Sequence, residues 1–402
     1  MIFKLSLKNV LRNKRRTIIT ISVIAVGVSM LILALAYVEY IKWGLGESTI
    51  HGQTGHFQLM TKDFLLKEEG KILEFGIDKS NDLYNKIEEI DEVELATPRI
   101  NFSGLASTGE KSNGILVSAL IPEKEITLGS VFIDPEPLKK LKTDDQGVIV
   151  GKGLAKLLKA TTNDYITIMT TTFDGALNAM DFKIVGTINT FSSEMDKRYA
   201  VINIKAAQEL LATKKVERIL VGLYKTEDLP IAIQKASRHI SSNLQIKKWK
   251  EVAPYYNKVL RFFYQIIIFL APVLMIIVWF STMNTIMMSI LERSSELASL
   301  RAMGTSKTTL FKMLFTEGIW LGIIGVSIGI VLELILSYII NHAGITVPPP
   351  PGQTSGYALM VRNVLTNFLN VGFLTILVVS LSTIFPAERI FKINIVKALR
   401  GQ

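Results

Sequence analysis

The sequence predicts an α-helical membrane protein with four transmembrane helices and a large α+β extracytoplasmic domain inserted between helices 1 and 2. Three observations lead to this fold class. The 402 residues are 49% hydrophobic with a mean hydropathy of +0.35, which is too apolar for an ordinary soluble protein of this size. Long uncharged runs recur along the chain. Between the first and second runs lie about 220 residues of ordinary composition, enough for a domain with its own core.

Three uncharged runs are long enough to cross a bilayer core of roughly 30 Å as helices, which requires about 20 residues. They occupy 17–38, 262–291 and 363–385. A fourth run, 313–340, has the length but carries Glu317 and Glu333. Small residues at 34–36 resemble a signal-peptide cleavage site, but the run before them exceeds the usual length of about 7 to 15 residues. We therefore favour a retained first span.

Positive charge is concentrated in three short segments. Residues 1–16 contain six Lys or Arg, and 289–312 and 387–402 contain four each, against three glutamates in all. The three segments carry a net charge of +11, whereas the whole chain carries +10. By the positive-inside rule they face the cytoplasm, so we expect the large domain and the 341–362 loop to lie on the outer side of the membrane. No basic stripe is interleaved with aromatic residues, which favours contact with membrane lipids over nucleic acid.

These patterns divide the chain into nine segments. They are a cytoplasmic amphipathic helix (1–16), the first span (17–39), the periplasmic domain (40–257), the second span (258–290), a cytoplasmic helix and loop (291–311), the third span (312–340), a periplasmic loop (341–362), the fourth span (363–386) and a cytoplasmic tail (387–402). In the first segment Lys4, Lys8 and Arg12 share one helical face and apolar residues line the other, which is typical of a helix at a membrane interface.

Inside the insertion, five stretches rich in β-branched residues have the length of strands. They are 93–100, 114–121, 164–171, 182–190 and 218–224. Residues 80–90 have a helical pattern that follows a polar capping residue, and 229–240 have a second one. An α+β domain accommodates both kinds of element.

The residues needed for covalent chemistry or for a bound cofactor are missing. The chain has no cysteine, which excludes disulfides and thiol chemistry. Residues 147–153 resemble a phosphate-binding loop, but three residues instead of four separate the first two glycines, and glycine replaces the Ser or Thr that binds magnesium. His51 and His56 lie five residues apart, and surface or strand positions explain them better than a zinc site. The sequence therefore predicts a non-catalytic subunit without cofactor or metal residues.

Four glycines recur along the third span at spacings of four, three and four, which puts them on one helical face. They are Gly318, Gly322, Gly325 and Gly329. Such a stripe lets another helix approach closely, although glycine is also simply frequent in membrane helices. Glu317 and Glu333 of the same span are costly in hydrocarbon, so they should face a partner helix, water or the interface.

Residues 292–306, ERSSELASLRAMGTS, form a short polar helix between the second and third spans. Leu297 and Leu300 give this helix a small apolar edge. Gly304 is expected to end the helix and Ser306 to cap the next one. A hairpin that only connects two spans explains the charges but not the apolar edge, so we expect this helix to contact another protein.

The same stretch, extended to ERSSELASLRAMGTSKTTL, resembles the E-x-x-x-E-(I/L)-x-x-L-R-A-(M/I)-G-x-S signature of FtsX-like permeases, the membrane subunits of ABC transporters typified by MacB, LolC and LolE. Four further stretches resemble the family in order: LKNVLRNKRRT (7–17), VIVGKGLAKLL (148–158), TEGIWLGIIGVSIG (316–329) and FPAERIFKINIVKALRG (385–401). The resemblance covers essentially the whole chain, and the family has the four-span topology with a large first insertion.

The resemblance implies that 291–311 contain a coupling helix that rests in a groove of a separate cytoplasmic ATPase. The residues implied in this contact are Glu292, Glu296, Leu297, Leu300, Arg301 and Gly304. ATP and magnesium would bind to an ATPase dimer, flanked by two copies of this chain or by this chain and a related permease. The resemblance further implies that ATP-driven motion is relayed through the first and second helices to a MacB-like core domain, without a substrate pore.

Two stretches, STIHGQTGHFQL (48–59) and VPPPPGQTSGY (347–357), resemble those of lipoprotein-releasing permeases most. Lipoprotein release requires an apolar shelter, which we expect between the first and second spans, although the same positions could face lipid. They are Val38, Ile41, Trp43, Phe262, Phe263 and Ile266. Residues 170–184 correspond to the LolC hairpin that binds a periplasmic chaperone but contain no proline, so the chaperone is a weaker expectation than the lipoprotein.

Two other functions of the family are alternatives. A MacB-like subunit drives periplasmic substrates toward an outer-membrane channel in a tripartite efflux system. An FtsX-like regulator controls a cell-wall hydrolase and transports nothing. FtsX has a smaller outer domain than the one predicted here, which makes the regulator the less favoured of the two.

Overall fold

The computed structural model describes residues 2–12, 14–62, 76–78, 80–129, 135–190, 192–347 and 357–392. Nearly all of the motif at 347–357 and the end of the motif at 385–401 lie outside these residues. The chain divides into two units. Met1–Lys42, Val259–Thr346 and Ala358–Gln402 form one, here called the membrane unit, and Trp43–Lys258 and Val347–Tyr357 form the other, here called the insertion unit.

The described residues form the following elements. The helices are α1 (Ile2–Arg12), α2 (Lys14–Thr49), α3 (Ser80–Glu88), α4 (Pro122–Leu128), α5 (Pro135–Thr143), α6 (Lys152–Leu158), α7 (Ser193–Asp196), α8 (Ile204–Leu210), α9 (Leu229–Ala236), α10 (Trp249–Val252), α11 (Pro254–Glu292), α12 (Ser294–Ala302), α13 (Lys307–His342), α14 (Leu365–Leu381) and α15 (Ile384–Lys392). The strands are β1 (Phe57–Thr61), β2 (Val93–Ser107), β3 (Ser112–Leu120), β4 (Gly147–Gly151), β5 (Tyr165–Thr171), β6 (Leu177–Ile188), β7 (Tyr199–Asn203), β8 (Arg218–Leu223), β9 (Leu244–Lys248), β10 (Thr346–Val347) and β11 (Tyr357–Ala358).

Four helical stretches are long and apolar enough to cross a membrane, which confirms the predicted number of spans. They are Lys14–Gly52, Pro254–Glu292, Lys307–His342 and Leu365–Glu388. At 1.5 Å per residue, the 36 residues of α2 and the 39 of α11 measure about 54 and about 58 Å, nearly twice the roughly 30 Å core of a bilayer. The chain is therefore a multi-pass membrane protein whose first two spans continue as helices beyond the apolar runs.

The glycine stripe of α13 contacts two different helices of the membrane unit. A Cβ on Gly318 would lie 2.6 Å from Thr383 Cγ2, and one on Gly322 would lie 3.2 Å from the Cα of Ile376 in α14. Higher along α13, Cβ atoms on Gly325 and Gly329 would lie 2.6 Å from Ile24 Cγ2 and 2.8 Å from the carbonyl oxygen of Ala25, both in α2. The four glycines let the third span pack closely against the fourth span at one level and the first span at another.

Glu333 is fully buried within the membrane unit and is satisfied by neutral donors. The Ser337 hydroxyl, one turn along α13, donates to Glu333 Oε1 at 2.5 Å, and the Asn363 amide donates to Oε2 at 3.5 Å. The side chain thus faces the residues that precede the fourth span, in agreement with the expectation that it contacts a protein group.

A nine-stranded sheet forms the frame of the insertion unit. Its strands lie in the order β3-β7-β4-β6-β5-β2-β8-β1-β9, and β2 also pairs with β3. The additional pairing closes six strands into a ring, β2-β3-β7-β4-β6-β5, from which β8, β1 and β9 continue as an open sheet. The long strand β2 serves both parts, because its residues 93–99 pair with β8 and its residues 100–107 pair with β3.

All five predicted strands are present, as β2, β3, β5, β6 and β8, and the two predicted helices are present as α3 and α9. The α+β class is therefore confirmed. Apolar side chains such as Phe57, Ile100 and Phe182 are fully buried in the core against the sheet. The residues 170–184 form the end of β5, a tight turn and the start of β6, with Gly175 at a φ of 86° in the turn.

The glycines of 147–153 allow the backbone to pack closely at a turn of the insertion unit. A Cβ on Gly151 would lie 2.1 Å from the carbonyl oxygen of Asp196, which no side chain can tolerate. The N–H of Gly153 donates to the Asp196 carboxylate at 2.6 Å. This strand-to-helix connection is therefore built around Asp196.

His51 and His56 each have their own hydrogen-bond partners. His56 is buried, its Nδ1 accepts the N–H of Leu223 at 3.0 Å, and its Nε2 lies 3.0 Å from the Thr226 hydroxyl. Burial and, to a lesser extent, the neighbouring His51 lower the pKa of His56 to about 4. Among the described residues, no group of three or more His, Asp or Glu side chains is arranged to hold a metal ion.

Replacement of Gly329 by alanine should destabilise the membrane unit by about 1–3 kcal/mol, because the new methyl group must displace the backbone of α2. Thermal unfolding of the detergent-solubilised protein measures the effect. Gly44→Ala is the matched control, since no atom lies within 4 Å of a Cβ at that helical position. Equal melting temperatures for the two variants would contradict the close packing.

The low pKa of His56 predicts a loss of stability in acid. Below pH 6.5 the unfolded chain binds a proton that the folded chain excludes until the pH reaches about 4. The free energy of unfolding should therefore fall by about 3 kcal/mol as the pH drops through this window. His56→Asn should flatten the dependence of the melting temperature on pH, whereas His239→Asn, at an exposed histidine, should not. Parallel curves for all three proteins would refute the prediction.

Candidate functional site

A polar junction surrounds the short helix α12 in the membrane unit. It comprises α1, the first turn of α2, the last turn of α11, α12 itself and the first half of α13. Gly304, at a φ of 92°, ends the α12 segment, and the Ser306 hydroxyl accepts the Thr309 N–H at 3.2 Å to cap α13, as the sequence predicted. The sharp turn holds α12 directly against the start of the third span.

One face of α12 belongs to the core of the membrane unit. Leu297 and Ala298 are 2% and 3% exposed, and Leu300 packs against the same cluster. The interpretation of Leu297 as part of an edge open to a partner needs correction, because its side chain anchors α12 from behind. The opposite face and the end of α12 stay exposed.

A buried ion pair joins α12 to α13. Arg293, which precedes α12, donates from Nη1 to Glu317 Oε1 at 3.2 Å, and the side chains are only 10% and 6% exposed. Asn9 of α1 donates to the same carboxylate oxygen at 2.8 Å. Arg293 and Asn9 were not among the predicted site residues. The one sequence signal for the pair is that Arg293 and Glu317 are oppositely charged and lie at or within membrane spans, where the burial of a single charge is costly.

Two exposed ion pairs connect the predicted glutamates to the basic N-terminal region. Arg12 lies 2.6 Å from Glu296, which Arg293 also contacts at 3.2 Å, and Arg16 lies 2.5 Å from Glu292. The Arg12 guanidinium holds the pKa of the Glu296 carboxyl below its usual value. Both glutamates thus have partners within the chain, and each is about half exposed.

Helix α1 packs along α13 and is hydrogen-bonded to it. The Ser6 hydroxyl donates to the Met313 carbonyl at 3.0 Å, and the Trp320 indole N–H donates to the Phe3 carbonyl at 3.2 Å. Val10 is buried in the core shared with α13, whereas Arg12 points outward, in agreement with the predicted amphipathic character. With the ion pairs, these contacts join α1, α12 and α13 into one rigid group.

The end of α12 adds an apolar side chain to the exposed surface of the junction. Met303 is 75% exposed, an unusual position for a large apolar side chain in a charged segment. Arg301 and Leu300 beside it are half-buried, and Gly304 is exposed. The arrangement has the chemistry of a docking surface, an apolar tip within a polar rim. The coupling role of these residues stays a prediction.

The predicted shelter residues differ in exposure. Val38 is buried, Ile41 and Phe263 are half-buried, and Phe262 and Ile266 are 59% and 44% exposed. Within the membrane unit the Phe263 ring meets Tyr37 of α2 edge to face at a centroid distance of 5.8 Å, so the first and second spans touch there. Trp43, which belongs to the insertion unit, is 46% exposed. The shelter itself stays a prediction.

Removal of the buried cation should destabilise the protein far more than removal of an exposed one. Arg293→Met leaves the Glu317 carboxylate buried without a counter-charge, which costs roughly 3–5 kcal/mol. Arg12→Met removes an exposed pair and should cost less than about 1 kcal/mol. Unfolding by denaturant in detergent micelles compares the two variants. Similar losses in both would show that the Arg293–Glu317 pair is not the anchor of the junction.

Known proteins with similar sequences are membrane subunits of transporters. An uncharacterized ABC transporter permease of Methanocaldococcus jannaschii is 27% identical over 233 residues, 55% of either chain. LolE of Haemophilus influenzae, a lipoprotein-releasing system transmembrane protein, is 21% identical over 266 residues, 63% of either chain. LolC of Neisseria meningitidis is 21% identical over 339 residues, 80% of this chain and 77% of that protein. The chain spans less than two thirds of the length of the first two relatives.

Two solved structures cover about half of the chain. The extracellular domain of the ABC-type transporter YknZ from Gram-positive bacteria covers 48% of this chain and 99% of its own, with 9% identity and a TM-score of 0.35. The periplasmic region of MacB from Actinobacillus actinomycetemcomitans covers 52% of this chain and 95% of its own, with 10% identity and a TM-score of 0.36.

Family profiles match both parts of the chain. The profile of the MacB-like periplasmic core domain matches residues 17–238, which is more than half of the chain, and that of the FtsX-like permease C-terminal region matches 268–395. The second match includes most of the second span, the junction helix α12, the glycine stripe and the last two spans. The chain therefore belongs to the FtsX-like permeases with a MacB-like periplasmic core domain.

Proposed function

We propose that this chain is the permease subunit of an ABC transporter and that the end of α12 docks on a separate cytoplasmic ATPase. The exposed apolar tip at Met303 carries this proposal, because the large apolar side chains Leu297 and Leu300 of α12 already pack on the chain's own core. The ATPase binds ATP and magnesium, and this chain supplies no catalytic residue. The three basic segments support a position of α12 on the cytoplasmic side of the inner membrane, by the positive-inside rule.

The junction suits α12 for the transmission of force. A force applied to a helix is transmitted to other helices only if the contacts of the helix hold it firmly in place. Here Arg293 ties α12 to α13, Glu296 ties it to α1, and Glu292 at the end of α11 is tied to α2. Displacement of α12 therefore moves the first, second and third spans together.

A second permease subunit, either another copy or a related chain, completes the proposed transporter. In the apolar stretch of the second span, 17% of the residues are buried within the chain, compared with 33% to 44% in the apolar stretches of the other three spans. The second span thus has the most surface left for a partner helix or for lipid. Two permease subunits would match an ATPase dimer.

We further propose that the substrate is a lipoprotein, which the transporter releases from the outer leaflet of the inner membrane. The similarity to LolC supports this proposal, since it extends over 77% of that protein. Extraction is costly, at about 0.8 kcal/mol for each buried methylene of each acyl chain, and so requires both ATP and an apolar shelter. The exposed Phe262 and Ile266 on the second span are the side chains we assign to that shelter.

The second candidate is a MacB-like exporter subunit, which the match of the MacB-like core domain to residues 17–238 favours. The two functions differ in cargo. Lipoproteins that co-purify with the transporter in nanodiscs, identified by mass spectrometry of their acylated N-termini, support release. Recovery of soluble peptides together with a periplasmic adaptor supports export.

Met303→Asp should weaken docking of the ATPase by about tenfold or more, because a charge replaces the apolar tip at the centre of the contact. The tagged full-length chain is purified from its native cells, and recovery of the ATPase and ATP hydrolysis by the complex are measured. Met303 is a better position for this substitution than Leu300, because Leu300 packs on the core and its replacement would also disturb folding. It is also better than replacement of Gly304 by proline, because proline cannot adopt the φ of 92° at that position.

Met360→Asp is the matched control, since Met360 is 39% exposed and lies between the third and fourth spans, away from the junction. It should leave recovery of the ATPase unchanged. Absence of an ATPase with the wild-type chain, or full recovery with Met303→Asp, would overturn the assignment of α12.

A further inference from the structure

The insertion unit contains a cavity of about 370 Å³, near the lower end of the sizes usual for small-molecule sites. It lies where β2 passes from the open sheet into the six-stranded ring. Strand β2 contributes Arg99, Asn101 and Phe102, β3 contributes Ser118, and β8 contributes Arg218. The cavity is thus bounded by both parts of the sheet.

The polar lining of the cavity is cationic. It includes the two arginines Arg99 and Arg218, and none of the described residues that line it is acidic. Their carboxylate partners stand behind the wall: Arg99 pairs with the buried Glu125 at 2.6 Å, and Arg218 pairs with Glu217 at 2.5 Å. The guanidinium groups are therefore held in fixed orientations at the cavity surface.

Arg99 retains an unused donor. Its side chain is 5% exposed, yet its Nε–H meets no hydrogen-bond acceptor among the described residues. An unmet donor of a buried charged group is costly unless an acceptor enters. Ser118 and Tyr199 line the same region, and burial raises the pKa of the Tyr199 phenol, which stays a neutral hydroxyl near neutral pH.

The remaining wall is apolar. Phe102, Met195 and Val252 line it together with Leu116 and Val117. A ligand that satisfies both parts of the wall carries one oxyanion, which can accept a charge-assisted hydrogen bond from the guanidinium, and one apolar substituent.

We propose that this cavity binds a small amphiphilic oxyanion, a molecule with one carboxylate or phosphate group and an apolar part, with Arg99 as the principal anion ligand. This site is independent of the proposed contact between α12 and an ATPase. The ligand also contacts Thr54, just after the first long helix, and Val252, just before the second, so the site is bounded by the segments through which the chain enters and leaves the sheet.

The test uses the full-length chain in lipid nanodiscs with carbon-13 methyl-labelled methionine, and Met195→Leu assigns the Met195 signal. Benzoate and phenyl phosphate are titrated as probes, and benzamide serves as the neutral counterpart of benzoate. We expect a saturable shift of the Met195 signal with one or both anions, and about tenfold or more weaker binding of benzamide.

Two variants locate the effect. Arg99→Met should abolish the response, whereas Arg238→Met, the same change at an exposed arginine, should preserve it. Because Arg99→Met also strips Glu125 of its partner, Ser103→Phe provides a second variant that fills the cavity from the exposed side of β2 and leaves the ion pair intact. No saturable shift with either anion, equal binding of benzamide, or an undiminished response in Ser103→Phe would overturn the proposal.

Discussion

The buried pair of Arg293 and Glu317 is the constraint on which the membrane unit depends. Helix α12 has nine residues, fewer than the roughly 12 to 15 at which an isolated helix becomes marginally stable. Its position must therefore come from tertiary contacts. A buried charge is tolerated only with its partner in place, so the pair fixes the angle at which the chain leaves α11, enters α12 and returns along α13. Asn9 adds α1 to the same carboxylate.

The glycine stripe extends this constraint along α13. Glu317 and Gly318 are neighbours, so the ion pair and the first close helix contact occur at the same level of the span. Further along, Gly325 packs against the Ile24 side chain of α2, and Gly329 packs against the Ala25 carbonyl oxygen and the Val28 side chain. Close contacts of this kind leave little free space between the helices. The third span is thereby coupled to the fourth span and to the first.

The sequence predicts what short-range patterns encode. Long apolar runs indicate four spans, three of them uncharged, and β-branched stretches indicate five of the strands, because both signals are local. The pair Arg293–Glu317 joins residues 24 positions apart, and its existence depends on which helix faces meet, which no periodicity states. The same limit explains why the burial of Leu297, which depends on α13, could not be predicted. It also explains why the division of the glycine stripe between two helices could not be predicted. The resemblance of 147–153 to a phosphate-binding loop rests on glycines, and two of these, Gly151 and Gly153, pack against the distant Asp196.

Two long helices carry the chain between the membrane unit and the insertion unit. Helices α2 and α11 are uninterrupted and longer than a bilayer core, so each continues as a stiff rod beyond its apolar run. The cavity of the insertion unit is lined by residues within five positions of where these rods end and begin, Gly52, Thr54 and Val252. Any ligand that orders this lining also orders the helix ends beside it. The proposed ligand would therefore contact the short segments of the insertion unit at which α2 ends and α11 begins.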